Sequence, residues 1–410
     1  MRILIITQYF WPENFRINDL AKGLKEDGND VTVLTGIPNY PGGRFFPGYG
    51  LFRNLRQDYS GAKVLRIPVI PRGKGGILRL LLSYFSFTIS AIFLSVFLCR
   101  GKFDIIFFSL SPVAEGLPAV LLKKLKGAFL IFWVVDLWPD SLTATNAVHS
   151  PFILRWVDKL VRLIYKQCDS VLVSSEGFIS SISAKGVDSG KIVFFPNWAE
   201  DIYRPVKLKD AKLPLALEEL PQGFKLMFAG NIGAAQDFQT ILTSFEMLKN
   251  HKDIHLLVLG KGRMYGWVKE QVKARNLARQ VHLLGAYPSE TMPDFFSVAD
   301  AMLVTLRKAS IFSMTIPSKL QSYLACGKPI IGALGAEGSR LIGASKSGIA
   351  CPSGEPEALS RSILEMYQVT PLEREEMGRN AREYYEKNFD REMSIDNFNS
   401  LIKTFKFKKE

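Results

Sequence analysis

The chain has 410 residues, 47% of them hydrophobic, with 32 glycines, 21 prolines and a formal charge of +13. At roughly 100 to 200 residues per domain this length fits two domains with a core each, and the composition excludes a disordered or fibrous chain. The charge would suit nucleic acid, but it is concentrated: from Arg44 to Lys102 ten lysines and arginines face one acid, Asp58. Phe45, Phe46, Tyr49, Leu51 and Phe52 share that stretch, and cations beside such side chains point to an anionic membrane surface and away from nucleic acid.

In chain order, RILIITQ reads as a strand that turns polar at once, so no secretory leader is expected. The loop YFWPENF and a helix from Arg16 follow, with Ile17, Leu20 and Leu24 at helical spacing and Gly28 closing it; DVTVLTG then completes a βαβ unit. KVLRIPV, FDIIFFSL, AFLIFWVV, SVLVSS and KIVFFPN are further strands separated by helical stretches. The apolar run from Ile77 to Cys99, uncharged from Leu80 onward, is long enough to span a bilayer. It lies where a crossover helix belongs, which predicts a helix packed on the sheet, buried or leaning on a membrane, with a true span as the alternative.

After Asn197 the pattern restarts. The segment from Trp198 to Gly223 has prolines and little strand periodicity, as a linker has. FKLMFAG, IHLLVLG, VHLLG, AMLVTL and IIGAL are strands, with helices at FQTILTSFEMLKN, up to Arg279, from Met292 and from Ser318. A last helix, about Arg391 to Lys406, has Ile395, Phe398, Leu401, Ile402 and Phe405 as an apolar face. The result is an α/β chain of two Rossmann-like domains, 1–197 and 198–388, facing a cleft lined by the carboxyl ends of both sheets. A crossover helix, 389–410, returns to the first domain.

Cys99, Cys168, Cys326 and Cys351 lie far apart without CxxC spacing and read as reduced, buried thiols of a cytosolic protein. His251 and His255 lead into an apolar strand and lack the other ligands that tetrahedral zinc needs, so no metal site is expected.

Ligands of parallel sheets bind where strands end and helix N-termini begin. Gly230-Asn231-Ile232-Gly233 follows a strand, so its backbone either approaches a diphosphate or merely turns. Gly260-Lys261-Gly262-Arg263 adds a second glycine turn with two cations. At Ile316-Pro317-Ser318-Lys319 a helix begins, with Ser318 near the N-cap and Lys319 in the first turn. A cation there is unfavourable unless an anion joins it; the alternative is a solvated lysine. Asp136, past the strand IFWVVD, places a carboxylate at the carboxyl edge of the first sheet, where it can hold a sugar hydroxyl or steady positive charge at an anomeric carbon. Asp140 is a plainer helix N-cap. Glu13 and Arg16, in the first loop, are cleft or structural groups by the same geometry.

With QYFWPENFRINDL, VTVLTGIPNYPGG, VDLWPDSL, FFPNW, FAGNIGAAQDF and PSKLQSYLACGKPII, the chain resembles, over its whole length, the GT-B retaining glycosyltransferases of family 4 type. The likeness is to bacterial enzymes of O-antigen and colanic-acid assembly, such as the O-antigen fucosamine transferase. The resemblance implies metal-independent, retaining transfer of a sugar, an N-acetylated amino sugar or deoxysugar, from a nucleotide donor of the UDP type. No cofactor beyond that substrate is implied, and the chain contains no Asp-x-Asp. The acceptor implied is a polyprenyl-diphosphate-linked saccharide, for an enzyme peripheral on the inner face of the plasma membrane.

The resemblance assigns Gly230, Asn231, Gly233, Gln236, Gly260, Lys261, Ser318 and Ser322 to the donor. Lys319 and Arg263 then stabilise the departing diphosphate, and Asp136 orients hydroxyls. Glu13, Asn14, Arg16, Asn39 and Tyr40 fall on the acceptor side. The chain departs from the family pattern in having Asn231 and Gln236 where many relatives carry arginine and lysine. It also has Met314 and Ser322 where a pair of glutamates is usual, so the ribose-binding glutamate is absent. Rival readings are a sugar-nucleotide epimerase of the same fold and a non-catalytic membrane-associated relative. A dinucleotide oxidoreductase lacks its G-x-G-x-x-G after the first strand.

Overall fold

The structure, a computed structural model, describes residues 1–73, 76–109, 113–144, 148, 150–212 and 222–406. Lys74 of the basic tract, Leu110 of one expected strand and 213–221 of the expected linker lie outside the described residues. The chain forms two units, Met1–Pro196 with Glu392 onward, and Asn197–Arg391.

Unit 1 runs β1 (Arg2–Ile6), α1 (Arg16–Glu26), β2 (Asp30–Gly36), β3 (Arg56–Tyr59), β4 (Ala62–Ile67), α2 (Ile77–Leu98) and β5 (Ile105–Ser109). It continues with α3 (Gly116–Lys126), β6 (Phe129–Val134), α4 (Asp140–Ala144), α5 (Pro151–Gln167), β7 (Ser170–Val173), α6 (Phe178–Ala184) and β8 (Ile192–Phe194). The sheet order is β3-β4-β2-β1-β5-β6-β7-β8, parallel except for β3. The strand β3 was not expected from the sequence. It pairs antiparallel with β4 through a turn at Ser60 and Gly61, both at positive φ, and its alternation of half-buried and exposed residues gives no apolar run to read. Covered on both faces, the inner strands are continuous apolar runs: Ile3 to Ile6 and Ile105 to Phe108 are wholly buried.

Unit 2 runs β9 (Phe224–Ala229), α7 (Phe238–Met247), β10 (Ile254–Leu259), α8 (Tyr265–Ala274), β11 (Val281–Gly285), α9 (Met292–Ser297), β12 (Ala301–Thr305) and α10 (Ser310–Ser313). Then come α11 (Ser318–Ala325), β13 (Ile330–Leu334), α12 (Ala336–Ser345), β14 (Gly348–Pro352), α13 (Pro356–Gln368) and α14 (Pro371–Asn388). Its sheet, β11-β10-β9-β12-β13-β14, is all parallel. The helix expected to reach Arg279 stops at Ala274, because Arg275 turns its guanidinium back onto Gln239, Thr243, Glu246 and Gln271 and Asn276 adopts φ +54°.

The last helix, α15 (Arg391–Lys406), packs on the sheet of unit 1. The Phe398 ring lies 5.3 Å from Phe107 and 5.7 Å from Phe195, and Phe405 lies 4.9 Å from Phe129. Asn399 accepts from Asn29 at 3.1 Å and donates to Asp27. The long apolar helix α2 is a crossover helix. The row Ser83, Phe87, Ala91 and Ser95, one helical turn apart, is fully buried, and α2 packs against β2, β4 and α3. The four cysteines are free and buried, and burial pushes the Cys99 thiol up to about 12.

Candidate active site

In doubly wound sheets the ligand crevice opens at the carboxyl ends of the strands where the strand order reverses. In unit 2 that point lies between β9 and β12. The strand β9 ends in Gly230 at φ +134° and β10 in Gly260 at φ +138°, conformations that a side chain would strain. Space forbids one as well. A Cβ on Gly260 would stand 1.9 Å from the Gly230 carbonyl oxygen, and one on Gly262 2.3 Å from that of Ile232. Hydrogen bonds from Gly230 N–H to Leu259 (2.9 Å), Ile232 N–H to Lys261 (3.0 Å) and Met264 N–H to Ile232 (2.9 Å) zip the two loops together.

Lys319 lies directly under these loops. Its Cε would be 2.5 Å from a Cβ on Gly230, so glycine there is what admits the lysine. The ammonium sits 3.7 Å from the centre of the Phe228 ring, and its nitrogen is buried with no hydrogen-bond acceptor. Burial pulls its pKa down to about 7. The solvated lysine is therefore ruled out. Expected site residues Gly230, Asn231, Gly233, Gln236, Gly260 and Lys319 come together here. Asn231 is exposed, with its amide against Gly233, and Gln236 folds back so that its Oε1 accepts the Gly233 N–H at 3.1 Å. Lys261 and Arg263 are exposed on the second loop.

At the start of α11, Ser318 and Lys319 lie in the first turn, as expected. The N-cap is Pro317, with no side-chain cap, and Ser318 is the exposed first residue of the helix. Ser322 is buried and its hydroxyl returns to the Ser318 carbonyl at 3.4 Å, the back-bonding typical of a helical serine. A residue that sequence reasoning missed fixes this helix to the strand end: Tyr323 OH accepts the Ala229 N–H at 3.0 Å and donates to the Ala229 carbonyl at 3.1 Å. Its position four residues after Lys319, on the same helix side, was the available signal. Beyond the loops after β12, β13 and β14, a cavity of about 620 Å³ is lined by Lys308, Ser310, Ser313, Gly335, Ala336 and Ser353, a size ordinary for small-molecule sites.

In unit 1 the order reverses between β1 and β5. Here Glu13 is an internal strut. It is buried, its Oε1 accepts from Asn39 N–H (2.7 Å) and Tyr40 N–H (2.6 Å), and its Oε2 accepts from Phe10 N–H (3.1 Å). Burial outweighs these donors and raises its pKa to about 7. The loop after β1 is thereby tied to the loop after β2. Asn39 donates to the Ile37 carbonyl and accepts from Arg72 N–H, while the Arg72 guanidinium lies 5.0 Å from the Tyr40 ring. Asn14 is exposed and Arg16 opens α1, half-buried.

Sequence reasoning also missed Glu115. It is fully buried, with Oε1 accepting from Gln8 N–H at 2.8 Å and Oε2 unpartnered, so burial holds its pKa well above the usual carboxylate range. An acid inside the apolar stretch before Gly116 was its signal. Asp136 follows β6 as an exposed residue at the carboxyl edge of the sheet.

Two parallel Rossmann-like bodies, with a terminal helix returning to the first, define a GT-B glycosyltransferase fold. The family model for glycosyl transferase 4-like domains matches residues 14–198, and the model for glycosyl transferases group 1 matches residues 216–384. WbjE of Pseudomonas aeruginosa, classed as a glycosyltransferase, is 27% identical over 73% of this chain and 74% of its own length. WcaI of Escherichia coli K12, assigned to colanic acid biosynthesis as a glycosyl transferase, is 26% identical over 97% of this chain and 98% of its own. The structure of Anabaena HepE in complex with UDP and glucose superposes with a TM-score of 0.71 at 14% identity, covering 98% of this chain and all of HepE. The chain belongs to the GT-B glycosyltransferases of family 4 type.

Proposed function

We propose that this glycosyltransferase moves a sugar, an N-acetylated amino sugar or deoxysugar, from a UDP donor to a lipid-linked saccharide with retention, in bacterial surface-polysaccharide assembly. It works as a peripheral protein at the inner face of the plasma membrane. The observation that carries the donor half is Lys319: a buried ammonium with no acceptor, beneath two glycine loops packed directly on one another. A diphosphate supplies the missing acceptor and charge, at the N-terminal turn of α11 where N–H groups and helix dipole favour an anion.

In the reaction, the bond between the anomeric carbon and the diphosphate oxygen breaks, and the acceptor hydroxyl bonds to that carbon on the same face. The hydroxyl proton leaves with the diphosphate. Lys319 and Arg263 stabilise the charge that develops on the leaving group, so the chain's own cations do the work of a metal ion. Asp136 orients donor or acceptor hydroxyls. HepE's complex with UDP supports the base, and WcaI's assignment to colanic acid supports the pathway.

A panel of UDP-, GDP- and dTDP-sugars, read by thermal shift, tests the donor: a ligand of the folded state raises Tm by mass action. UDP-sugars are expected to stabilise wild type and not Lys319→Ala, and turnover should survive EDTA. No stabilisation by any nucleotide would sink the reading, and isomerised donor without acceptor would make the protein an epimerase.

A further inference from the structure

The face of α2 opposite its buried row is as apolar as a core and is covered by nothing among the described residues. Leu78, Leu81, Leu82, Phe85, Ile89, Phe93 and Phe97 recur along it, one or two per turn, with Phe93 67% and Phe97 69% exposed. The helix α3 packs beside α2, and α5 beside α3. On α5, Phe152, Ile153, Trp156 and Leu163 are exposed along one side, Phe152 and Trp156 meet edge-on at 6.1 Å, and Lys159 reaches over the Trp156 ring. Monomeric soluble proteins seldom expose a stripe this long.

We infer that α2, α3 and α5 form one docking face on which the protein lies against an anionic bilayer, with α2 parallel to the membrane plane and α5 as a second, tryptophan-bearing anchor. This rests on the membrane location proposed above and names the surface that achieves it. Orientation follows from packing: a helix whose Ser83, Phe87, Ala91 and Ser95 seat on a sheet cannot also be ringed by lipid, so only its outer side enters the interface. The partner follows from charge. The three helices carry eight lysines and arginines against a single acid, Asp158. At the far end of α2, beside Phe97, a further pocket is lined by Arg2, Arg56, Lys63 and Arg100 with one acid, Asp30, which pairs with Arg2 at 3.4 Å. In a two-fold contact with a second copy those cations would meet their own kind, whereas phospholipid headgroups neutralise them. Tryptophan settles at the headgroup level, and interfacial helices carry phenylalanine and leucine on one face with lysine and arginine on the other.

Full-length protein is sedimented with vesicles of phosphatidylglycerol and phosphatidylethanolamine, and with phosphatidylcholine alone. Wild type is expected on the anionic vesicles and mostly free of the neutral ones. The pairs Phe85→Asp with Phe93→Asp on α2, and Phe152→Asp with Trp156→Asp on α5, should each lower the bound fraction by about tenfold or more. The charge reversal Arg155→Glu, Lys159→Glu, Lys166→Glu touches only exposed side chains and should do the same with unaltered circular dichroism. Unchanged binding of the α5 pair or of the charge reversal would overturn the proposal. So would a lipid-free dimer that the apolar pairs convert to monomer while vesicle binding persists. Thermal stabilisation by UDP is measured in parallel: vesicle binding without it keeps the docking face and rejects the donor reading, and the converse rejects the face alone.

Discussion

Replacing Lys319 by methionine should make the ligand-free protein more stable and the enzyme inactive. The fall of the Lys319 pKa from 10.5 to about 7 on burial is a penalty of ~3–5 kcal/mol for the charged form, at ~1.36 kcal/mol per unit. Stacking over Phe228 returns ~2 kcal/mol at a desolvated site. A net cost of about 1–3 kcal/mol remains, which a thioether of similar reach avoids while keeping contact with the ring. For a unit near 200 residues, ~2 kcal/mol corresponds to roughly 4–8 °C in Tm.

The pH dependence has a definite sign. Folded protein releases this proton near pH 7, and unfolded protein holds it to pH 10.5. Between those values the unfolded state binds more protons, so this residue's destabilising contribution is complete below pH 7 and fades as pH rises. Calorimetry of both proteins should therefore show the methionine variant ahead at about pH 6 and level at about pH 10. Its turnover should fall by ~10²–10³, the loss typical of one preorganised charge contact. A methionine variant less stable than wild type at pH 6 would refute the reasoning, because it would mean the ammonium is already satisfied.

Asp136→Asn should leave donor stabilisation intact and lower transfer by about 10²; unchanged transfer would remove Asp136 from the chemistry. Glu13→Ala leaves the N–H groups of Phe10, Asn39 and Tyr40 without their acceptor. At ~1–3 kcal/mol for each buried unmet donor, the variant should melt far below wild type, and a shift of only a degree or two would show that water replaces the carboxylate. Gly260→Ala combines φ +138° with a Cβ 1.9 Å from the Gly230 oxygen, so the loop pair should open and UDP stabilisation vanish in thermal-shift assays. Phe398→Ala should cost ~3–5 kcal/mol and lower the unfolding transition of unit 1, since its ring packs on Phe107 and Phe195; hydrogen exchange reporting the loss in unit 2 instead would contradict that packing.

The alternation of buried strands and helices was legible because a parallel sheet covered on both faces needs unbroken apolar runs, as in RILII and IHLLVL. The stretch after Leu334 was read poorly, although Thr370-Pro371-Leu372-Glu373 carries a capping box and a proline at the first helical position, and α14 begins there. At the site, Gly230, Gly260 and Lys319 were legible from their places after strands and at a helix start. What the sequence left open was whether each had a partner. Glu13 reads equally as a cleft acid or a structural one, and only the structure shows three backbone donors converging on it from two loops 26 residues apart. Tyr323 and Glu115 carried only faint signals for the same reason: their partners, Ala229 and Gln8, lie far away in the chain.

The helix α2 shows the same limit in its strongest form. Its mean hydropathy over Leu78–Leu98 is 2.0, enough for a membrane span by length and composition. A span and an interfacial crossover helix have the same average, and they differ in what the two sides of the helix touch. Serines at 83 and 95 with Ala91 between them are small residues that let a helix approach a sheet, while phenylalanines at 85, 93 and 97 stay outside. Sorting the residues by side therefore separates a dry inner row from an apolar outer one. The inner row seats the helix on the sheet, and the outer row is the side offered to the proposed membrane face.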